Sequence, residues 1–154
     1  MKLAMLFENE DKYLYHVTYT KNVPRIKEKG LLQFEPSNWI RGEGGKRYNE
    51  DAGIFAFEHP EDAFRWAFKM QWDMEDDNDI SIIRLNIGEH WEDDPAGETM
   101  KWLYQTKGRS LRSRRNRKAE EIIDSFKFDD FGNPRDLGLS QEEWVDSIVK
   151  ILSS

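Results

Sequence analysis

The chain has no cysteine among its 154 residues. Disulfide staples and thiol chemistry are excluded, and a reducing compartment is compatible with the composition. No apolar run approaches the length of a membrane span, and the first residues lack the basic-then-apolar layout of a secretory signal. A cytoplasmic protein without a membrane partner is the expectation. Positive charge is outnumbered: 23 Lys and Arg face 30 Asp and Glu, a net charge of −7. That balance argues against general binding to a phosphate backbone. Hydrophobic residues make up only 38%, but 13% are aromatic and six are Trp. Aromatic side chains bury large areas each, so an aromatic-rich core is expected and disorder is not. The length suits one domain over residues 1–154.

Leu14 to Leu31 organises the chain. Tyr13, Tyr15 and Val17 alternate with Leu14, His16 and Thr18, the period of a half-buried strand. Thr20 or Asn22 caps the helix that follows, Pro24 fits its first turn, and Gly30 suits the position that ends it. His16 thus stands near a strand end. A lone strand histidine is more often structural, and only its surroundings lift it above that.

Before this unit, Lys2 to Phe7 reads as a strand. After it, Leu31 to Asp51, with Gly42-Glu43-Gly44-Gly45, reads as a long loop, functional or merely inserted. Gly53 to Phe57 is a short apolar strand. Pro60 opens a helix with His59 before it, and Glu61 and Asp62 complement its positive end. Ala63, Trp66, Ala67 and Met70 share a helical face, with Phe64 and Phe68 beside it. Core packing is the ordinary explanation of such aromatics. Asp73 to Asp79 is an acidic connector, and Ile80 to Ile87 is the clearest strand. His90-Trp91-Glu92-Asp93-Asp94-Pro95 follows. Its spacing is irregular and no second histidine is near, so no metal is expected.

Lys107 to Lys118 holds seven basic residues and no acidic one. Arginine forks bind phosphates in bidentate fashion, so Arg109, Arg112 and Arg114 are candidates for a phosphate or an acceptor. A solvated basic loop is the plain alternative. Ala119, Ile122, Ile123, Phe126 and Phe128 form the apolar side of a last strand segment. Ser140-Gln141-Glu142-Glu143 is a capping box, and Trp144, Val145, Ile148, Val149, Ile151 and Leu152 give the closing helix an apolar face.

Taken together, Tyr15-His16-Val17-Thr18, Gly30-Leu31 and Gly53-Ile54-Phe55-Ala56 with Ala63 and Trp66 resemble the first two motifs of the ADP-ribosyltransferase superfamily. Trp91 to Pro95 and Ser110-Leu111-Arg112-Ser113 are similar to its rifampin-modifying branch, and the histidine motif to the poly-ADP-ribose polymerases. The resemblance covers about Leu14 to Phe128. It implies an α+β fold of split antiparallel β-sheets with short flanking helices. The core would be about 12–128, and the C-terminal extension 129–154 would carry a helix.

It also implies NAD as a substrate and transfer of ADP-ribose to a protein, nucleic acid or small-molecule acceptor. His16 would position the adenosine ribose, Val17 would hold the nicotinamide amide through its backbone, and Thr18 would complete that cofactor-binding segment. Phe55 and Trp66 would hold the nicotinamide ring, and Asp93 or Asp94 would be the catalytic carboxylate. Three departures stand out. Val17 occupies a position where the family usually has glycine, and Phe55 lacks a tyrosine hydroxyl. Polymerase-type members carry a glutamate on a later strand, and Arg109 to Ser113 contains none. Two alternatives follow: an inactive module of this fold that binds a nucleotide or a partner protein, or an RNA 2′-phosphotransferase-like enzyme that uses the arginines.

Overall fold

The computed structural model describes residues 13–32, 53–73 and 79–154. The expected strand at Lys2 to Phe7 and nearly all of the Leu31 to Asp51 loop lie outside the described residues. The fold is α+β. Among the described residues six strands form one antiparallel sheet: β1 Leu14–Tyr19, β2 Ile54–Phe57, β3 Ile80–Leu85, β4 Trp91–Asp93, β5 Ser110–Ser113 and β6 Ile122–Lys127. Their order across the sheet is β4-β5-β2-β1-β3-β6. The helices are α1 Val23–Lys29, α2 Pro60–Asp73, α3 Gly97–Tyr104, α4 Pro134–Leu137 and α5 Gln141–Ser153.

Both faces of the sheet are covered, which explains why β3 reads as a nearly unbroken apolar run. On one face, Ile80 and Ile82 join Tyr15, Phe64, Trp144 and Leu152 under α2 and α5. On the other, Ile83 and Leu85 join Leu14, Val23, Ile26 and Leu111 under α1. All six residues of β3 are buried.

The start of α2 follows expectation and adds to it. Pro60 is its first residue, and His59 Nδ1 accepts a hydrogen bond from the Glu61 N–H at 3.1 Å. Glu61 and Asp62 do more than complement the helix dipole. Both are buried, and Asp62 accepts from the Lys107 and Gly108 backbone N–H groups at 2.9 Å. This bond pair fixes the approach to β5. The start of α1 differs from expectation. Neither Thr20 nor Asn22 caps it through a side chain, because a 3-10 turn at Thr20–Asn22 leads straight into the helix. The Thr20 hydroxyl instead donates to Asp79 at 3.0 Å, tying β1 to β3. Ile123 is exposed rather than part of the apolar side of β6.

The Ser140–Glu143 capping box forms as expected. The C-terminal end of α5 is held by a polar clamp under the sheet. Tyr15 Oη donates to the Leu152 carbonyl at 3.0 Å, and Arg84 Nη1 donates to the same carbonyl at 3.1 Å. Asp124 holds Arg84 through both carboxylate oxygens. Burial pushes the Tyr15 hydroxyl up to about 12 from 10.0, with Arg84 partly opposing the shift.

Its pH consequence has a definite sign. The folded state keeps the proton longer than the unfolded state, so stability is complete below pH 10 and falls as pH rises from 10 to 12. The loss reaches about 2–3 kcal/mol for a shift of this size. Denaturant unfolding across that range should show the decline, and Tyr15→Phe should flatten it.

Candidate functional site

Neighbouring strands in the sheet pair at several positions, with one exception. β1 and β2 pair only where Tyr15 faces Phe57. That single pair joins β4-β5-β2 to β1-β3-β6 within the one sheet. His16 is the next residue along β1. Its Nδ1 lies 2.6 Å from the Phe55 carbonyl oxygen. A carbonyl can only accept, so Nδ1 carries the proton and Nε2 presents a lone pair.

The ring is held in this tautomer. Burial lowers the His16 pKa below its ordinary 6.5, and the Phe55 carbonyl partly offsets that. A base whose folded pKa is depressed favours folding when neutral, so this contribution is present above pH 6.5 and is lost as pH falls through the folded value. Titration of the His16 ring by NMR should show an inflection below 6.5.

Strand alternation then sorts the other candidates by face. Phe55 pairs with Arg112, and Arg112 with Glu92, so these three share a face. By alternation with Phe57 it is the face under α2. Val17 packs on the same side. Ala56, Leu111 and Asp93 form the next row and face the opposite way, toward α1. His16 pairs with Ile83 and belongs to that second side too. His16 and Asp93 therefore stand on one side of the sheet, three strand positions apart, roughly 14 Å at ordinary strand spacing.

Phe55 and Trp66 do not form a ring sandwich. Trp66 packs against Phe57, with centroids 6.4 Å apart, and edge-on against Tyr104 of α3 at 6.3 Å. A small cleft of about 40 Å³ lies between these three rings. Thr18 accepts from Asn22 Nδ2 at 3.4 Å. Asp94 caps the turn into α3, its Oδ1 accepting from the Ala96 N–H at 2.9 Å.

Asp93 lies in a larger cleft, about 180 Å³, on the α1 side. Leu14 and Leu111 floor it, Trp91 forms a wall, and Glu58, Asp93 and Arg109 rim it. Arg109 Nη2 donates to Glu58 Oε2 at 2.8 Å, while Arg109 Nη1 is 3.7 Å from Asp93 Oδ1. His16 does not line this cleft.

The arginine candidates have carboxylate partners. Arg112 is buried, and both its Nε and Nη2 reach Glu92 Oε1, at 2.9 and 2.8 Å. Arg114 Nε reaches the same oxygen at 3.2 Å. Arg112 Nη1 is buried without a hydrogen-bond partner. Arg117, buried as well, lies 4.7 Å over the Trp91 ring and donates to Glu121 at 2.6 Å.

The structure thus brings His16 and the Phe55 backbone together and places Asp93 on the same side as His16. It leaves Trp66, the Phe55 ring, Arg112 and Asp94 elsewhere. Glu58, Leu14 and Leu111 were not singled out in the sequence as site residues. They share the cleft only because β2, β1 and β5 are neighbours, a long-range fact that local spacing does not carry. Comparison with protein-family models, curated proteins and solved structures finds no match for this chain.

Proposed function

We propose that this chain is an ADP-ribosyltransferase-type domain that uses NAD as substrate and passes ADP-ribose to an acceptor. The observation that carries the reading is the His16 ring reaching from β1 to the Phe55 carbonyl of β2, which leaves the Nε2 lone pair to accept from a ribose hydroxyl. Asp93 stands on the same side, at a separation that two riboses joined by a pyrophosphate can span.

In the reaction, the bond between ribose C1′ and the nicotinamide ring nitrogen breaks. Its electron pair leaves with the ring, and neutral nicotinamide departs. A lone pair of the acceptor forms the new bond to C1′, and the acceptor proton passes to solvent. Positive charge builds on the ribose in between, as in glycoside hydrolysis. A carboxylate beside it stabilises that charge.

Incubation of the protein with NAD should release free nicotinamide, and His16→Ala should reduce the rate about 100-fold, the scale of a lost positioning contact. No nicotinamide above the uncatalysed background would overturn the transferase reading. A second reading is favoured by the ion pairing of Asp93: with Arg109 at 3.7 Å, its charge is partly spent. On that reading the same surface binds a nucleotide without turnover, and saturable NAD binding with no nicotinamide release identifies it. An RNA 2′-phosphotransferase activity has less support, since Glu92 already holds Arg112 and Arg114, and Glu58 holds Arg109.

A further inference from the structure

The 180 Å³ cleft on the α1 side has a composition of its own. Its base is apolar, from Leu14 and Leu111, which are 2% and 6% exposed. Its wall is the Trp91 ring, whose indole N–H is buried without an acceptor. Its charged side chains are two carboxylates, Glu58 and Asp93, against one guanidinium, Arg109, while Glu92 borders it with its side chain turned to the other face. Arg109 is also the first clue to what the cleft accepts. A planar cation already lies between Glu58 and Asp93, nearer the first than the second.

We propose that this cleft binds a small flat organic cation, edge-on to Asp93 and against Trp91 and the leucine base. Size supports the choice. Pockets for drug-sized ligands hold roughly 300–1,000 Å³, so this one takes a single ring or a guanidinium rather than a whole dinucleotide. Charge supports it as well. Glu92 is held from outside by Arg112 and Arg114, and Glu58 by Arg109. Asp93 is the carboxylate with the longest ion pair in the group, and its side chain is 78% exposed. An incoming cation therefore gains a carboxylate partner and displaces little. The apolar base removes water from the far side of that cation, where the attraction is screened less.

Two sources share this chemistry. The pyridinium ring of NAD is one, and for that source the proposal rests on the reading above. A guanidinium group of an acceptor is the other. In the first case the nicotinamide end sits beside Asp93, with no need of the Phe55 and Trp66 rings. In the second the cleft receives the acceptor.

Calorimetric titration of the full chain with N1-methylnicotinamide, with agmatine and with neutral nicotinamide tests this. At least one of the two cations should bind saturably, and nicotinamide should bind at least tenfold more weakly. Asp93→Asn should weaken the bound cation about tenfold or more, a change its exposed position tolerates without loss of fold. Binding of methylnicotinamide assigns the pyridinium source, and binding of agmatine alone assigns the guanidinium source. Failure of both cations to bind, equal binding of nicotinamide, or indifference to Asp93→Asn would overturn the proposal. The two readings fail separately. Cation binding without NAD turnover keeps the cleft and removes the transferase, whereas turnover with no cation binding does the reverse.

Discussion

Phe64→Ala should destabilise the domain by about 4 kcal/mol, within the range for emptying a filled aromatic core site. Phe64 is 2% exposed and lies where α2, α5 and the chain after β6 meet. Its ring stacks on Phe128 at 5.6 Å and meets the edges of Phe131 and Trp144 at 5.9 and 5.1 Å. No single neighbour can move into the space, because each is fixed by another element. Trp144 is tied to the Phe131 carbonyl through its indole N–H at 3.1 Å. A cavity therefore persists, and its cost adds to the lost transfer energy.

Phe64→Leu keeps most of the volume and should cost less than about 1.5 kcal/mol. Equilibrium unfolding in guanidinium chloride, followed by near-UV circular dichroism, measures both. A loss under about 1.5 kcal/mol for Phe64→Ala would mean that this site collapses freely and is not the centre of the larger core.

This ring cluster was legible in the sequence only in part, through its helices. Ala63, Trp66, Ala67 and Met70 recur at helical spacing after a proline start, with Phe64 and Phe68 beside them, and the structure buries Phe64 fully and Trp66 only in part; the Ser140–Glu143 box marks where α5 begins. The pairing of strands was not legible to the same degree. Phe55 and Phe57 sit on one face, two residues apart, and only the position of α2 decides which of them meets Trp66. Nothing near Trp66 in the chain predicts Tyr104 as its other neighbour, since α3 arrives from a distant segment.

The same limit applies to the carboxylates. Glu92, Asp93 and Asp94 are adjacent in sequence, yet Glu92 and Asp93 point to opposite faces and Asp94 turns into a loop cap. Register over three residues decides their chemistry. The motif showed that an acidic group stands here, but the choice of Asp93 came from its pairing with Leu111.

Gly30→Ala should cost about 4 kcal/mol or more, although it adds one methyl group. Two effects combine. Gly30 has φ +82 and ψ −171, a region that residues with a side chain avoid at a cost of roughly 1–3 kcal/mol. A Cβ there would also lie 2.0 Å from the Arg117 carbonyl oxygen and 2.9 Å from Ala119 N. Both contacts are to backbone, so no rotamer change relieves them. The backbone in question is pinned. Leu31 and Arg117 exchange hydrogen bonds of 2.9 and 2.8 Å, and the Arg117 side chain is anchored on Glu121 and the Glu89 carbonyl.

Moving Arg117 would disturb the ring it covers, Trp91, and through it the wall of the larger cleft. Gly138 provides the comparison. It also has positive φ, +68, but nothing lies within 4 Å of a Cβ built there. Gly138→Ala should therefore show the backbone penalty alone, about 1 kcal/mol. Denaturant unfolding of the two variants separates conformation from contact. If Gly30→Ala proves no worse than Gly138→Ala, the chain at Arg117 yields easily, and the close approach of α1 to that segment does not hold the cleft wall in place.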